Sequence, residues 1–268
     1  MTMEWPELRD EVRDVWDTNA SHWDNLVGEE GNFFARTLVY PTAERLLALE
    51  TGMRVLEIAC ANGNFARRIA PKVGHVLATD ISPNMIELAR QRTPDSVTNV
   101  EFRVVDAADP AALDALDGEP FDAAVCNMAI MDMPAIEPML ATLRRVLRPG
   151  GVFVFTTMHP CFNSGAITRM VEMSDAGGEL KTTYSIKMSH YHTPKHFLGL
   201  FTGDQPRPQY YFHRSFSDLF RPCFAQGFVI DAMEEPVFTE RNPDKALSLA
   251  NFAELPPVLA ARVRLLPI

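Results

Sequence analysis

Residues 54–65, RVLEIACANGNF, carry an apolar run into a turn of small side chains. Glu57 lies near the end of the run, and Ala59, Cys60, Ala61 and Gly63 form the turn. Small residues between a strand and a helix let backbone N–H groups approach a ligand closely. Alanine is the next smallest choice after glycine, so Ala59 and Ala61 keep that access. They should give up easy entry to positive φ, and Gly63 is the position expected to need it. Glu57 stands two residues before the first small position, where a carboxylate attracts an ammonium group and repels a pyrophosphate. The dinucleotide fingerprint G-x-G-x-x-G fits poorly, because Ala59, Ala61 and Asn64 occupy its glycine places. Such a loop suits a nucleoside with a cationic tail.

Three more polar residues close successive apolar runs. Asp80, in LATDIS, is placed to accept hydrogen bonds from both hydroxyls of a ribose. Asp106, in VVDAAD, could accept from an adenine amino group, and Asn127 ends FDAAVCN. Each has a plainer reading. Glu57 could cap the next helix or pair with Arg54, Asp80 could open a helix, and Asp106 and Asn127 could be ordinary strand ends.

The elements that must hold these residues are legible in the periodicity. Leu8, Val12, Trp16 and Trp23 recur at helical spacing ahead of everything else, and a second helix is predicted near 40–49. From Met53 onward, short β-rich runs alternate with helices predicted from Asn64, Pro83 and Pro134, ending in GGVFVFTTM. That alternation predicts right-handed βαβ units and an α/β fold with a parallel sheet covered on both faces, ligands sitting at the carboxyl ends of the strands. The segment LRPGG is a helix stop and turn. Residues 158–213, punctuated by Gly and Pro and rich in Tyr and His, are predicted to be an insertion. SFSDLFRPCFAQG reads as a helix closed by Gly227, FVIDAMEEP as a strand, and PVLAARVRLL as a last strand. The stretch 238–256 has no assignable pattern.

Composition narrows the partners. The 268 residues are 47% hydrophobic, enough for one large domain. A formal net charge of -10 disfavours nucleic acid and anionic membrane, which need clustered Lys and Arg, and leaves a small molecule as the expected partner. The four cysteines have no C-x-x-C spacing, and His190, His192 and His196 fit no usual ligand set, so no metal site is expected. The start of the chain lacks a signal-like apolar core and no run is long enough to span a membrane, which points to the cytoplasm.

Taken in order, E-x-A-C-A-N-G, Asp80, Asp106, FDAAVCNMA and LRPGG resemble the class I S-adenosylmethionine-dependent methyltransferases, over about residues 40–157. The resemblance implies a Rossmann-like sheet of seven mostly parallel strands, with helices on both faces and the last strand antiparallel. It implies S-adenosyl-L-methionine as cofactor and S-adenosyl-L-homocysteine as product. Ala59, Cys60, Ala61 and Gly63 would approach the methionine part, with Glu57 near its amino group. Asp80 would take the ribose with Ile81 and Met85 beside it, Asp106 and Ala107 would flank the adenine, and Asn127 and Met128 would line the floor beneath the sulfonium. Trp23 resembles an aromatic of an N-terminal lid. The departure is the pair of alanines where the family usually has glycines.

The single domain would divide into an N-terminal helical lid (1–38), a cofactor-binding core (39–157), a substrate-lid insertion (158–213) and a C-terminal completion of the sheet (214–268). On this fold His159 would face the mouth of the site, where a neutral imidazole could take a proton from an acceptor hydroxyl or amine; a structural hydrogen bond at a His-Pro turn is the other reading. Tyr191 and His213 could line the acceptor pocket as base or orienting groups, or pack inside a lid. The function implied is methyl transfer to oxygen or nitrogen of a small molecule. A cofactor-binding protein without catalysis and a nicotinamide-dependent oxidoreductase are the alternatives.

Overall fold

The computed structural model describes residues 4–116, 118–242 and 244–267; positions 1–3, 117, 243 and 268, which include the outer ends of the expected lid and C-terminal segments, lie outside them. The first five strands are β1 (Arg54–Ile58), β2 (His75–Asp80), β3 (Val100–Val104), β4 (Phe121–Asn127) and β5 (Leu147–Met158). Four further strands, β6 (Ile167–Ala176), β7 (Glu179–Met188), β8 (Lys195–Gly199) and β9 (Gln209–His213), precede β10 (Phe228–Glu234) and β11 (Val258–Leu265).

Seven strands form one sheet in the order β10-β11-β5-β4-β1-β2-β3. The five strands from β1 to β5 pair in parallel, while β11 lies antiparallel between β5 and β10. This is the Rossmann-like sheet with an antiparallel last strand that the motifs imply. The chain leaves β1 toward β2 on one side and later returns to β4 on the other. The crevice at the carboxyl ends of β1 and β4 is therefore the natural ligand position.

Alternation along the strands sorts two cores. The N-terminal helix is α1 (Arg9–Val27). Val55, Val76, Ala78, Val125 and Val154 face one side of the sheet. They pack there on α2 (Tyr40–Leu47), α3 (Asn64–Ile69) and α4 (Pro83–Arg92). A short α5 (Pro110–Leu113), unforeseen from the pattern, follows β3. Leu56, Ile58, Ala124, Cys126, Phe153 and Phe155 face the other side. They meet α6 (Glu137–Val146) and α7 (Phe216–Ala225) through Leu140, Leu143, Leu219 and Phe220.

Several predicted boundaries move for identifiable reasons. Helix α6 starts at Glu137, three residues after Pro134, because Glu4 accepts from the Ile136 N–H (2.7 Å) and Trp5 donates to the Pro134 carbonyl (2.9 Å). The LRPGG turn is absorbed into β5, with Gly150 at φ +78° where the register against β4 slips. The insertion is two antiparallel hairpins, β6–β7 and β8–β9. The unassigned 238–256 stretch holds one 3₁₀ turn, Leu249–Asn251, which Asn251 pins by donating to the carbonyls of Asn242 and Lys245.

The loop after β1 corrects a conformational expectation. Gly63 does take positive φ (+77°), but so do Ala59 (+58°) and Ala61 (+48°). The alanines hold a glycine-like backbone at a cost on the order of 1 kcal/mol each. A Cβ on Gly63 would fall 2.8 Å from Phe102 Cε1, so that position has no room as well as the wrong φ. Gly63→Ala should therefore lower unfolding stability by roughly 2 kcal/mol or more, while Ala61→Gly leaves it unchanged or raises it by up to about 1 kcal/mol. Urea midpoints of the two variants check this ordering.

Candidate active site

A cavity of about 490 Å³ lies at the carboxyl ends of β1 to β4. Trp23, Glu57, Ala59, Cys60, Ala61, Asp80, Ile81, Met85, Asp106, Ala107, Asn127 and Met128 all line it. Gly63 is not among the lining residues: it stands at the N-cap of α3 with Phe102 close beside it, where it turns the chain.

Local geometry explains each placement. Cys60 N donates to Thr79 O (2.9 Å) and Thr79 Oγ1 to Glu57 O (3.0 Å), which joins the ends of β1 and β2. Asp80 then accepts from Ala61 N through Oδ2 and from Ser82 N through Oδ1, both at 2.9 Å. It therefore steadies Ser82, the residue that caps α4, without opening the helix itself, and Asp80 also lines the cavity, where each carboxyl oxygen has further acceptor capacity. Asp106 accepts from Ala108 N (2.8 Å) and has Arg9 of α1 3.6 Å away. Asn127 accepts from Thr156 Oγ1 at 3.2 Å.

Among the described residues that line the cavity, three buried polar atoms have no partner: Glu57 Oε2, Asn127 Nδ2 and Asp132 Oδ1. Glu57 is only 2% exposed. Burial raises its carboxyl to about 8, with Arg67 and the Ala66 N–H opposing that rise and Asp80 adding to it. The same loss of solvent raises Asp80 to about 6, against three backbone N–H groups that favour its charge. Burial also raises Asp106. Three acids that resist ionisation in one cavity form a site poised for a cation. Burial and the acids around it push the Cys60 thiol well above its ordinary range, which favours the protonated thiol over the thiolate.

Helix α1 roofs the cavity with Val12, Trp16, Trp23 and Val27. Polar ties hold it over α4: Asp17 accepts from Ser82 Oγ (2.7 Å) and Asn84 N (3.0 Å), and Asp24 pairs with Arg92 and accepts from Asn62 Nδ2 (2.7 Å). Trp23 packs edge-on against Trp16 and against Phe201 of the insertion.

The three residues expected to serve as base or orienting groups lie elsewhere. His159 is 1% exposed, with Cys161 N donating to its Nδ1 (3.1 Å) and Glu235 accepting from its Nε2 (2.8 Å). Both ring nitrogens are engaged, and burial holds the imidazole below its usual range despite Glu235. It pins the His-Pro turn instead of facing the cavity. Tyr191 Oη accepts from Phe216 N (2.9 Å), and His213 Nε2 donates to Tyr191 O (2.9 Å), so that pair braces β9 against the start of α7. None of the three lines the cavity. The cavity is also lined by Met131, Asp132, Met133, Met158, Gln209 and Tyr211. Sequence reasoning passes over Asp132 because an acid amid IMDMP carries no motif; only the fold turns it inward.

Residues 49–200 match a family profile described as Methyltransferase domain. The chain belongs to that family. Within it, the sheet order and acidic strand ends are those of the class I S-adenosylmethionine-dependent methyltransferases. This methyltransferase is 31% identical over 170 residues to the aklanonic acid methyltransferase DauC of Streptomyces sp. (strain C5), a match covering 61% of this chain and 71% of that one. It is 29% identical over 109 residues to the ubiquinone biosynthesis O-methyltransferase of Xylella fastidiosa (strain 9a5c), covering 41% of this chain and 43% of that enzyme, less than half its length. In fold it resembles an S-adenosylmethionine-dependent methyltransferase from Mesorhizobium loti (TM-score 0.63, 24% identity, 84% of this chain and 96% of the other). It also resembles the chain of a DhpI–SAH complex (TM-score 0.58, 20% identity, 98% and 99%).

The residues present fit S-adenosylmethionine. The unpartnered Glu57 Oε2 is an acceptor suited to an ammonium, the unpartnered Asn127 Nδ2 is a free donor in the same wall, and Glu57, Asp80, Asp106 and Asp132 outnumber the one base in the lining, Arg169, where a pyrophosphate would need several.

Glu57 and Asp80, held above their ordinary pKa, keep protons in the folded chain that the unfolded chain releases, up to about pH 6 for Asp80 and about pH 8 for Glu57. The contribution of these two groups to unliganded stability should therefore fall as pH rises from the ordinary carboxyl range through those values. A cationic ligand reverses the preference, so affinity for S-adenosylhomocysteine, which keeps the ammonium, should rise as pH climbs from about 6 to about 8. Calorimetric titration across that range should show the rise in the wild type and a blunted one in Glu57→Gln.

Proposed function

We propose that this chain transfers a methyl group from S-adenosylmethionine to an oxygen or nitrogen of a small molecule. The observation that carries the reading is the unpartnered, buried carboxylate oxygen of Glu57 at the end of β1, inside a cavity whose other acids also resist ionisation. Glu57 would hold the amino group and the Ala59–Ala61 loop the methionine chain. Asp80, Ile81 and Met85 would hold the ribose, and Asp106 and Ala107 the adenine. Asn127 and Met128 form the floor. When bound, the sulfonium supplies an already activated methyl group.

What the protein must add is alignment and exclusion of water. Trp16 and Trp23 from the lid (1–38), with Phe201 from the insertion (158–213), close an apolar roof over the cavity. The net charge of -10 supports a small acceptor over nucleic acid. DauC is named for a low-molecular-weight acceptor, aklanonic acid, and the other relative for O-methylation in ubiquinone biosynthesis, which supports the same choice here.

Titration with S-adenosylhomocysteine tests the cofactor half. Binding by the wild type should weaken at least tenfold in Asp80→Ala, which removes a charged acceptor from the cavity. Tritium from methyl-labelled S-adenosylmethionine should then enter a hydroxyl- or amine-bearing compound. A wild-type protein that ignores S-adenosylhomocysteine would overturn the reading.

A further inference from the structure

Deepening the methyltransferase reading, on which it rests, we propose that Asp132 recognises the acceptor through a hydroxyl and takes up that hydroxyl's proton. The acceptor class is thereby a hydroxyl-bearing aromatic compound. Asp132 sits in the 3₁₀ turn Ile130–Asp132 just past β4, is 6% exposed and lines the cavity, and its buried Oδ1 lacks any partner. A buried carboxyl oxygen without a partner costs on the order of 1–3 kcal/mol, which a ligand donor would offset.

The surroundings hold that carboxyl in place. Arg214, itself buried, donates to the carbonyls of Ile130 (3.1 Å) and Met133 (2.9 Å) and so clamps both ends of the turn. Asp132 N donates to Ala129 O at 2.8 Å. The Gln209 side chain favours the ionised form of Asp132, while Gln209 Oε1 accepts from Gln205 Nε2 (3.2 Å), which orients its amide. Tyr211 and the Cys126 thiol feel the Asp132 charge directly. Burial pushes Asp132 well above the ordinary carboxyl range, making it a strong proton acceptor once ionised. Around it the wall is apolar, formed by Met131, Met133 and Met158.

Charge selects hydroxyl over ammonium. The same cavity must hold a cationic cofactor, and a second cation nearby in a medium of low dielectric would be repelled. A neutral hydroxyl avoids that repulsion, and the cofactor's charge favours the Asp132 carboxylate when a base is needed. As the acceptor oxygen forms its bond to the methyl carbon, the carbon–sulfur pair leaves with sulfur. The hydroxyl proton passes to the Asp132 carboxylate and from there to solvent. Apolar walls and the aromatic roof of Trp16, Trp23 and Phe201 suit a flat ring carrying the hydroxyl.

Phenol and its methyl ether, anisole, are the probes, titrated into protein loaded with sinefungin, whose amine stands in for the sulfonium charge. The wild type should bind phenol at least tenfold tighter than anisole. That preference should fall below about threefold in Asp132→Leu, with Asp132→Asn between. With S-adenosylmethionine, wild-type conversion of phenol to anisole should slow at least 100-fold in Asp132→Asn. No phenol preference in the wild type, or the same preference in Asp132→Leu, overturns recognition. No anisole formed by the wild type, or an equal rate in Asp132→Asn, overturns proton transfer. Loss of sinefungin binding in both variants also overturns the proposal, by moving Asp132 into the cofactor half. Failure of the wild type to bind sinefungin removes the methyltransferase reading itself, a separate result.

Discussion

Asp80 is the constraint on which the ligand cavity depends. One oxygen takes the N–H of Ala61 and the other the N–H of Ser82, each at 2.9 Å. A single side chain thus holds the loop after β1 and the first turn of α4 in mutual register. The alanines can occupy positive φ only because such a bond over-determines the loop. Ser82, so held, receives the Met85 N–H as a helix cap and donates to Asp17 of α1, passing the order outward to the roof. Burial against the charge of Asp80 is the corresponding cost, and its raised pKa records it.

The cavity is electrostatically unusual for an acidic protein's interior, because its acids are kept from ionising by loss of solvent rather than neutralised by bases. Arg67 moderates Glu57, and Arg9 stands near Asp106, but Asp132 has no cation among the groups acting on it. A ligand with positive charge supplies what the protein withholds, so recognition is built into the desolvation of the site.

Much of this arrangement is legible in the order of the residues alone. Strand ends are points where periodicity stops and a polar residue begins, so Glu57, Asp80, Asp106 and Asn127 stand out by pattern. The inserted antiparallel strand follows from resemblance and from the alternation of PVLAARVRLL. What pattern misses is anything set by contacts between distant segments. His159 attracts attention by its type, but Glu235, far along the chain, decides its role. Asp132 escapes notice because its inward turn depends on Arg214. The alanine loop misleads in the other direction: propensity argues against positive φ, and hydrogen bonds to Asp80 and Thr79 override it.

The hairpins β6–β7 and β8–β9 make no rung of the main sheet. They are hung between Met158 at the end of β5 and the start of α7, with Tyr211 on one of them lining the cavity. Closing a loop between two fixed points costs entropy that grows only logarithmically with its length. Descendants of this chain can therefore lengthen, shorten or exchange that segment at small expense to the folded core. Change in the wall that the hairpins supply and inheritance of the strand-end residues are separable events in the lineage of such a protein.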